Sequence, residues 1–136
     1  MALLDTTVLI DLGRRPQVPA HQRARAAVQR LLASGEMLFT SRINEAEFRV
    51  GPEMSDQRRR ELERVERILA AIVILEFNAE AALRYAVIKA AMFKRGRPAG
   101  DCGALIASVA LAHGQSLLTR NPGHFRHIPG LIVQSY

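Results

Sequence analysis

Short apolar runs alternate along the chain with longer amphipathic segments. The short runs predict strands at residues 2–5 (ALLD), 37–41 (MLFTS), 72–75 (IVIL), 116–119 (SLLT) and 131–133 (LIV). In the segments between them apolar residues recur at helical spacing, which predicts helices from residue 6 to a stop at Gly13 and over 19–34, 42–51, 55–71, 78–94 and 101–113. Strands that alternate with helices are typical of an α/β fold with a mainly parallel sheet.

Length and composition indicate one globular unit. The 136 residues contain no repeat and no linker long enough to divide them, so we expect a single domain over 1–136. The longest apolar run, ALIASVALA, has nine residues, about half of what a membrane-spanning helix needs. We recognise no signal peptide, and one cysteine cannot form an internal disulfide. These features favour a cytoplasmic protein without a membrane partner.

The charge is strongly positive, with a formal net charge of +6. All basic residues except Lys89 and Lys94 are arginines, whose guanidinium groups suit bidentate recognition of phosphate and carboxylate. Either a polyanionic partner, such as nucleic acid or an acidic protein segment, or a general arginine bias of the proteome explains this charge. For the three arginines at 58–60 we favour a solvated helix face paired with nearby glutamates.

Polar residues collect where the predicted strands end. Asp5 ends the first strand, Thr119 and Asn121 end or follow the fourth, and Glu47 lies about one and a half turns into the helix after the second. Asp101 begins a later helix. Carboxyl ends of parallel strands form the functional edge of such a sheet, and oxygen ligands gathered there suit Mg²⁺ or Mn²⁺. Beside an arginine-rich surface, this chemistry suggests phosphodiester hydrolysis.

Each of these acids also has a purely structural interpretation. Asp5 is placed to cap the helix that follows it, and Asp101 to cap the helix that it begins. Glu47 is near enough along its helix to pair with Arg42 or Arg49. The residue types and spacings alone leave both interpretations open.

Three blocks of the chain resemble the PIN domain, and within it the VapC-type toxins of toxin–antitoxin pairs. They are LLDTTVLIDL at 3–12, SRINEAEFRVG at 41–51, and GRPAG at 96–100 followed by LIASVALAHGQSLLTRNPGHFRHIPGLIV at 105–133. The resemblance rests on the order and spacing of the blocks and covers nearly the whole chain. It implies a PIN-like three-layer α/β/α sandwich around a mainly parallel sheet.

The resemblance also implies an activity, an endoribonuclease that depends on Mg²⁺ (or Mn²⁺). The family pattern selects Asp5 and Glu47, rather than Glu45, as metal ligands and places Asn121 at the fourth catalytic position. The hydroxyl groups of Thr6 and Thr119 are expected to orient water or the metal-binding residues without binding the metal themselves. The arginines expected to hold the RNA backbone are Arg14, Arg15, Arg95, Arg97 and Arg120.

The third acid of the family pattern is missing. It normally precedes an Ile-Ala pair by three residues, and here that pair is Ile106-Ala107, so catalytic position 103 is Gly103. Asp101 lies two residues earlier, about 200° away around a helix, and could serve as the metal ligand only from the loop before the helix. We therefore expect a cleavage-impaired chain, through either divergence or deliberate replacement of the acid.

Partners follow from the same resemblance. A VapC-type toxin implies a cognate VapB-type antitoxin, an RNA substrate and a homodimer. The apolar helix faces at 55–71 and 19–34 are the expected docking or dimer surfaces. The alternative is a PIN-like module that binds RNA or an antitoxin without cleaving.

Overall fold

The computed structural model describes residues 1–96 and 100–136. Its strands are β1 (Ala2–Leu4), β2 (Leu38–Ser41), β3 (Val73–Leu75), β4 (Ser116–Thr119) and β5 (Val133–Ser135). Its helices are α1 (Thr6–Leu12), α2 (Pro19–Ala33), α3 (Arg42–Glu53), α4 (Arg58–Leu69), α5 (Ala79–Lys94) and α6 (Asp101–Ala112), with a 3₁₀ turn at Pro122–His124. None of the helices in these ranges is long and apolar enough to cross a bilayer.

The strands form one sheet in the order β3-β2-β1-β4-β5, and every described pairing is parallel. The chain builds outward from β1 to β2 and β3, then returns to the other side of β1 for β4 and β5. The direction of winding therefore reverses between β1 and β4. In open parallel sheets, ligands bind at the carboxyl edge beside such a reversal.

Helices cover both faces of the sheet because β1 is apolar on both. Ala2 and Leu4 pack into a cluster with α1, α2 and α4, whereas Leu3 packs into a second cluster with α5 and α6. The predicted three-layer α/β/α fold with a parallel sheet is confirmed. The packing also corrects the expectation that the apolar faces of α2 and α4 are docking or dimer surfaces. These faces, represented by Val28 and Val65, are buried in the first cluster.

Several predicted boundaries were wrong, among them the start of α4, which lies at Arg58 rather than at residue 55. The last strand begins at Val133, since Val133 and Ser135 pair with Leu117 and Thr119 of β4. Helix α3 continues past the expected stop at residue 51 and includes Pro52. A proline in the last turn removes one backbone donor but need not end the helix at once.

A buried acid ties α1 to the end of the chain. The Asp11 side chain is fully buried and accepts from Arg120 Nη1 at 2.6 and 2.8 Å, from Arg14 Nε at 2.9 Å and from Tyr136 Oη at 2.8 Å. Burial and then the hydrogen bond to Asp11 raise the pKa of Tyr136. Two arginines expected to bind RNA, Arg14 and Arg120, thus have their guanidinium groups bound to this acid.

We expect Asp11→Asn to destabilise the fold by about 2 kcal/mol, because it leaves arginine and tyrosine donors without their charged acceptor. Urea denaturation measures the free energy of unfolding. Glu63→Gln is the matched control, since Glu63 pairs with Arg59, which is 95% exposed, and such surface pairs contribute about 0–1 kcal/mol. Equal losses in the two variants would contradict a structural role for Asp11.

Candidate active site

Asp5 lies at the reversal between β1 and β4, and its side chain is buried. It occupies the N-cap position of α1, but its carboxylate makes no capping bond, so the cap interpretation is wrong. Instead, Asp5 Oδ2 accepts from Thr7 Oγ1 at 2.8 Å and from Thr119 Oγ1 at 2.7 Å. The two hydroxyl groups hold the carboxylate at the carboxyl edge of the sheet.

Glu47 is half-buried on α3 and is bound by a hydroxyl group rather than by arginine. Thr6 Oγ1 donates to Glu47 Oε1 at 2.5 Å. The neighbouring arginines Arg42 and Arg49 pair with Glu45 instead. Burial opposes ionisation of Glu45, but the hydrogen bonds from Arg49 and Arg42 hold its pKa below the usual value. The structure thus gives Glu45 the structural role that sequence alone left open for Glu47.

Asn44 connects the two acids, and the sequence analysis did not identify it. Its fully buried side chain accepts from the Ser41 amide at 3.3 Å, and its backbone amide donates to Ser41 Oγ at 3.1 Å; these two bonds are the capping box that begins α3. The Ser41 hydroxyl also donates to Asn44 Oδ1, at 2.5 Å. Because Asn44 Oδ1 accepts from Ser41, its Nδ2 faces Thr6 Oγ1 at 2.9 Å and Asp5 Oδ1 at 3.4 Å. Thr6 accepts from Asn44, so its single proton goes to Glu47. The S-x-x-N spacing was the available signal.

Asp101 does not join this pair. It is the first residue of α6 rather than part of the preceding loop, and Gly100, not Asp101, occupies the N-cap position of that helix. Its carboxylate binds Lys89 Nζ at 3.0 Å and the Tyr85 hydroxyl at 3.2 Å on α5, and these contacts, that with Lys89 first, lower its pKa. The expectation that Asp101 is a metal ligand is therefore corrected, because its carboxylate is directed towards α5.

Position 103 has room for a side chain. A Cβ atom on Gly103 would meet only Phe125 Cε1, at 3.8 Å, and the residue has no positive φ. Partial burial and then the charge of Glu47 raise the pKa of the preceding residue, Cys102, so the first turn of α6 lies beside that acid. Packing therefore does not require glycine here. Within the described ranges, no three or more His, Cys, Asp or Glu side chains are grouped to hold a metal ion.

The remaining predicted site residues are distributed along the same edge and beyond it. Asn121 is exposed directly after β4, and its backbone amide donates to Thr119 Oγ1 at 3.0 Å. Arg95 is exposed at the end of α5. Arg97 lies outside the described residues.

A groove of about 900 Å³ extends from Glu47 between α3, α4 and the segment after α1. Arg14 and Arg15 line it, as does Arg60 of α4. The first two of the 58–60 arginines pair with Glu53 and Glu63, as expected for a solvated face. Arg60 differs, because its position on the helix turns it towards the groove, and sequence reasoning missed this.

Comparison with known proteins identifies the family. The PIN-domain family profile matches residues 2–131. The chain belongs to the PIN-domain family. The tRNA(fMet)-specific endonuclease VapC of Shigella flexneri is 27% identical over 98% of this chain and 96% of its own length.

Solved structures agree with this family assignment. DNA-bound VapBC from Salmonella typhimurium superposes with a TM-score of 0.83 at 28% identity, covering 98% of this chain and 96% of the other. A toxin–antitoxin complex from Klebsiella pneumoniae gives a TM-score of 0.67 at 26% identity, covering 97% and 96%. The predicted resemblance to VapC-type PIN domains is confirmed.

The reactivity of Cys102, the single cysteine, is expected to depend on the charge of Glu47. Partial burial and then the charges of Glu47 and Asp101 raise the pKa of the Cys102 thiol. Glu47→Gln removes one of these charges, so the pKa should fall and the thiol should react about threefold faster with iodoacetamide at mildly alkaline pH. Glu45→Gln, which alters an acid already paired with arginines, should leave the rate unchanged. Equal rates in both variants would contradict the contact between α6 and Glu47.

Proposed function

We propose that this chain has the active-site framework of a metal-dependent endoribonuclease of the VapC type and is cleavage-impaired at position 103. The observation that supports this most directly is the linked pair Asp5 and Glu47 at the β1–β4 reversal, next to an open position on α6. RNA is the proposed substrate. A relative named as a tRNA(fMet)-specific endonuclease makes structured RNA the first substrate to test.

The donor set fits a hard divalent cation, Mg²⁺ or Mn²⁺. The hydroxyl donors bind one oxygen of each carboxylate, Oδ2 of Asp5 and Oε1 of Glu47. The other oxygen of each acid retains lone pairs for a cation, and Asn121 offers an amide oxygen at the same edge. Two carboxylates hold such an ion more weakly than three or four. A bound cation would supply Lewis acidity towards a phosphoryl oxygen.

The protein's own groups position the substrate. Thr6, Thr7 and Thr119 orient both acids by donating hydrogen bonds to them. Arg15 and Arg60 line the groove that leads from Glu47, where they are placed to bind the RNA backbone. Contacts to phosphate fix the register of RNA but carry no base specificity.

Gly103→Asp should restore a third carboxylate beside Glu47, because the space around residue 103 accepts a side chain. We expect cleavage of structured RNA to rise by orders of magnitude and Mn²⁺ affinity to increase, since a third anionic oxygen ligand strengthens the site. Isothermal titration calorimetry with Mn²⁺ and a gel-based cleavage assay measure the two effects.

Two controls make this experiment specific. Gly103→Asn adds a side chain of similar size without the charge and should not restore cleavage. Asp101→Asn, made together with Gly103→Asp, should leave the restored cleavage intact because Asp101 faces α5. If the Gly103→Asp protein binds RNA and Mn²⁺ but does not cleave, the alternative function, a non-catalytic RNA- or antitoxin-binding module, is supported instead.

A VapB-type antitoxin is the proposed protein partner. The similar solved structures include VapBC and toxin–antitoxin complexes. The groove beside Glu47 combines apolar residues, among them Ile10 and Phe48, with arginines, so an amphipathic segment with acidic residues would fit it.

Co-expression with the protein encoded beside this chain tests the partner. We expect the two to co-elute, and the complex to suppress cleavage by the Gly103→Asp protein. Ile10→Glu, which places a charge in the apolar part of the groove, should weaken the complex about tenfold or more. Ile132→Glu, the same change at an exposed residue outside the groove, should not.

A further inference from the structure

Helix α2 carries arginines that no acid of its own helix neutralises. It contains Arg23, Arg25 and Arg30 but neither Asp nor Glu. Helix α4 differs, because glutamates on that helix pair with its arginines, as Glu63 does with Arg59. Within the part of the chain that the structure describes, no acid from another element pairs with Arg23 or Arg30 either. The positive charge of α2 is therefore available to a partner.

Arg23 and Arg30 lie on the same side of α2. They are two turns apart, so their Cα atoms are separated by about 10 Å along the helix axis. Both are exposed, and the exposed Ala26 and Ala33 continue the row at intervals of three and four residues. Small side chains beside guanidinium groups allow a polymer backbone to approach the helix closely, while each arginine contacts a different phosphate.

These side chains line an open cleft between α2 and the end of the chain, with a volume of about 480 Å³. We call it the α2 cleft, and its lining residues are Arg23, Ala26, Gln29, Arg30, Ala33 and Tyr136. Arg30 also lines a neighbouring cleft of about 310 Å³, in which Ser34, Gln134 and Ser135 offer hydroxyl and amide groups. Glu36 lines that smaller cleft too, but it is paired with the amino terminus at 3.0 Å.

The α2 cleft adjoins the groove that leads from Glu47. The buried Asp11 accepts from Arg14, which lines that groove, and from Tyr136, which lines the α2 cleft. Val18 also lines the groove, and it is the N-cap residue of α2. A folded RNA that is larger than the groove therefore extends over α2.

The composition of the α2 cleft favours nucleic acid over an acidic protein segment. Protein interfaces are centred on buried apolar or aromatic anchors, whereas this cleft offers alanine methyl groups and the half-buried ring of Tyr136. Arginine, amide and hydroxyl groups are the usual contacts to RNA phosphates and sugars. The apolar residues suited to an antitoxin, such as Ile10 and Phe48, line the groove beside Glu47 instead.

We propose that the α2 cleft is a second RNA-binding surface, which holds the phosphate backbone of a large folded RNA away from Asp5 and Glu47. The proposal deepens the proposed function and rests on it for the choice of RNA. It implies selection by size. A full-length tRNA occupies both the groove and the α2 cleft, whereas an isolated stem-loop occupies the groove alone.

Fluorescence anisotropy with a full-length tRNA and with an isolated tRNA stem-loop tests the proposal, because binding does not require cleavage. Arg23→Gln combined with Arg30→Gln should weaken tRNA binding about tenfold. It should also lower the slope of log affinity against log salt concentration by about 2, since two phosphate contacts are lost. Binding of the stem-loop should not change.

Arg58→Gln combined with Arg59→Gln is the matched control. It removes the same formal charge, but from arginines that are paired with Glu53 and Glu63, and it should leave both affinities unchanged. Circular dichroism establishes that both double variants are folded. In the Gly103→Asp protein, the α2 double variant should raise KM for tRNA and leave kcat unchanged, because the lost contacts lie away from the cleaved bond.

The outcomes separate this proposal from the proposed function. Equal weakening by the two double variants, or an unchanged tRNA affinity in the α2 double variant, overturns the α2 cleft as an RNA-binding surface and leaves RNA binding in the groove intact. An α2 double variant that keeps its tRNA affinity but no longer co-elutes with the antitoxin assigns the cleft to a protein segment instead. A wild-type chain that binds neither RNA overturns the proposed function and this proposal together.

Discussion

The structure depends on β1 being paired on both sides and covered on both faces. Ala2, Leu3 and Leu4 are fully buried between β2 and β4. A strand in this position must be followed by a chain that leaves the sheet at its carboxyl edge, and the first residue to do so is Asp5. The same parallel register brings the ends of β2 and β4 alongside it. Backbone pairing therefore places Ser41 and Thr119, the last residues of β2 and β4, at the same edge as Asp5.

Hydroxyl and amide donors, rather than arginines, stabilise the two candidate ligands. The acids that anchor the fold, Asp11 and Glu45, are instead bound by arginine. A guanidinium group neutralises a carboxylate and occupies both its oxygens, whereas a hydroxyl group donates one hydrogen bond and leaves the charge available. The chemistry of the donor thus separates the structural acids Asp11 and Glu45 from the two acids proposed to bind a cation.

Gly103 connects stability with activity. In the first turn of a helix, glycine costs roughly 0.5–1 kcal/mol relative to alanine, and the surrounding packing does not need it. An acid there would be favoured by the helix dipole but would add a third negative charge beside Glu47 and Asp5. Without a cation these charges repel, so a catalytic acid at this position stabilises the fold less than its helix position alone suggests.

Much of the architecture could be predicted from the sequence, because strand and helix periodicities depend on local spacing. The short runs at 2–5 and 116–119 predicted β1 and β4. The motif pattern led to the proposal of Glu47 over Glu45 and of a missing acid at position 103. Only the tertiary structure decided what lies next to each polar group. Asp101 binds Lys89 on another helix, Asp11 binds an arginine 109 residues away, and Asn44 links two acids from different elements. Side-chain directions and long-range pairs arise when separate elements pack, and no local spacing records them.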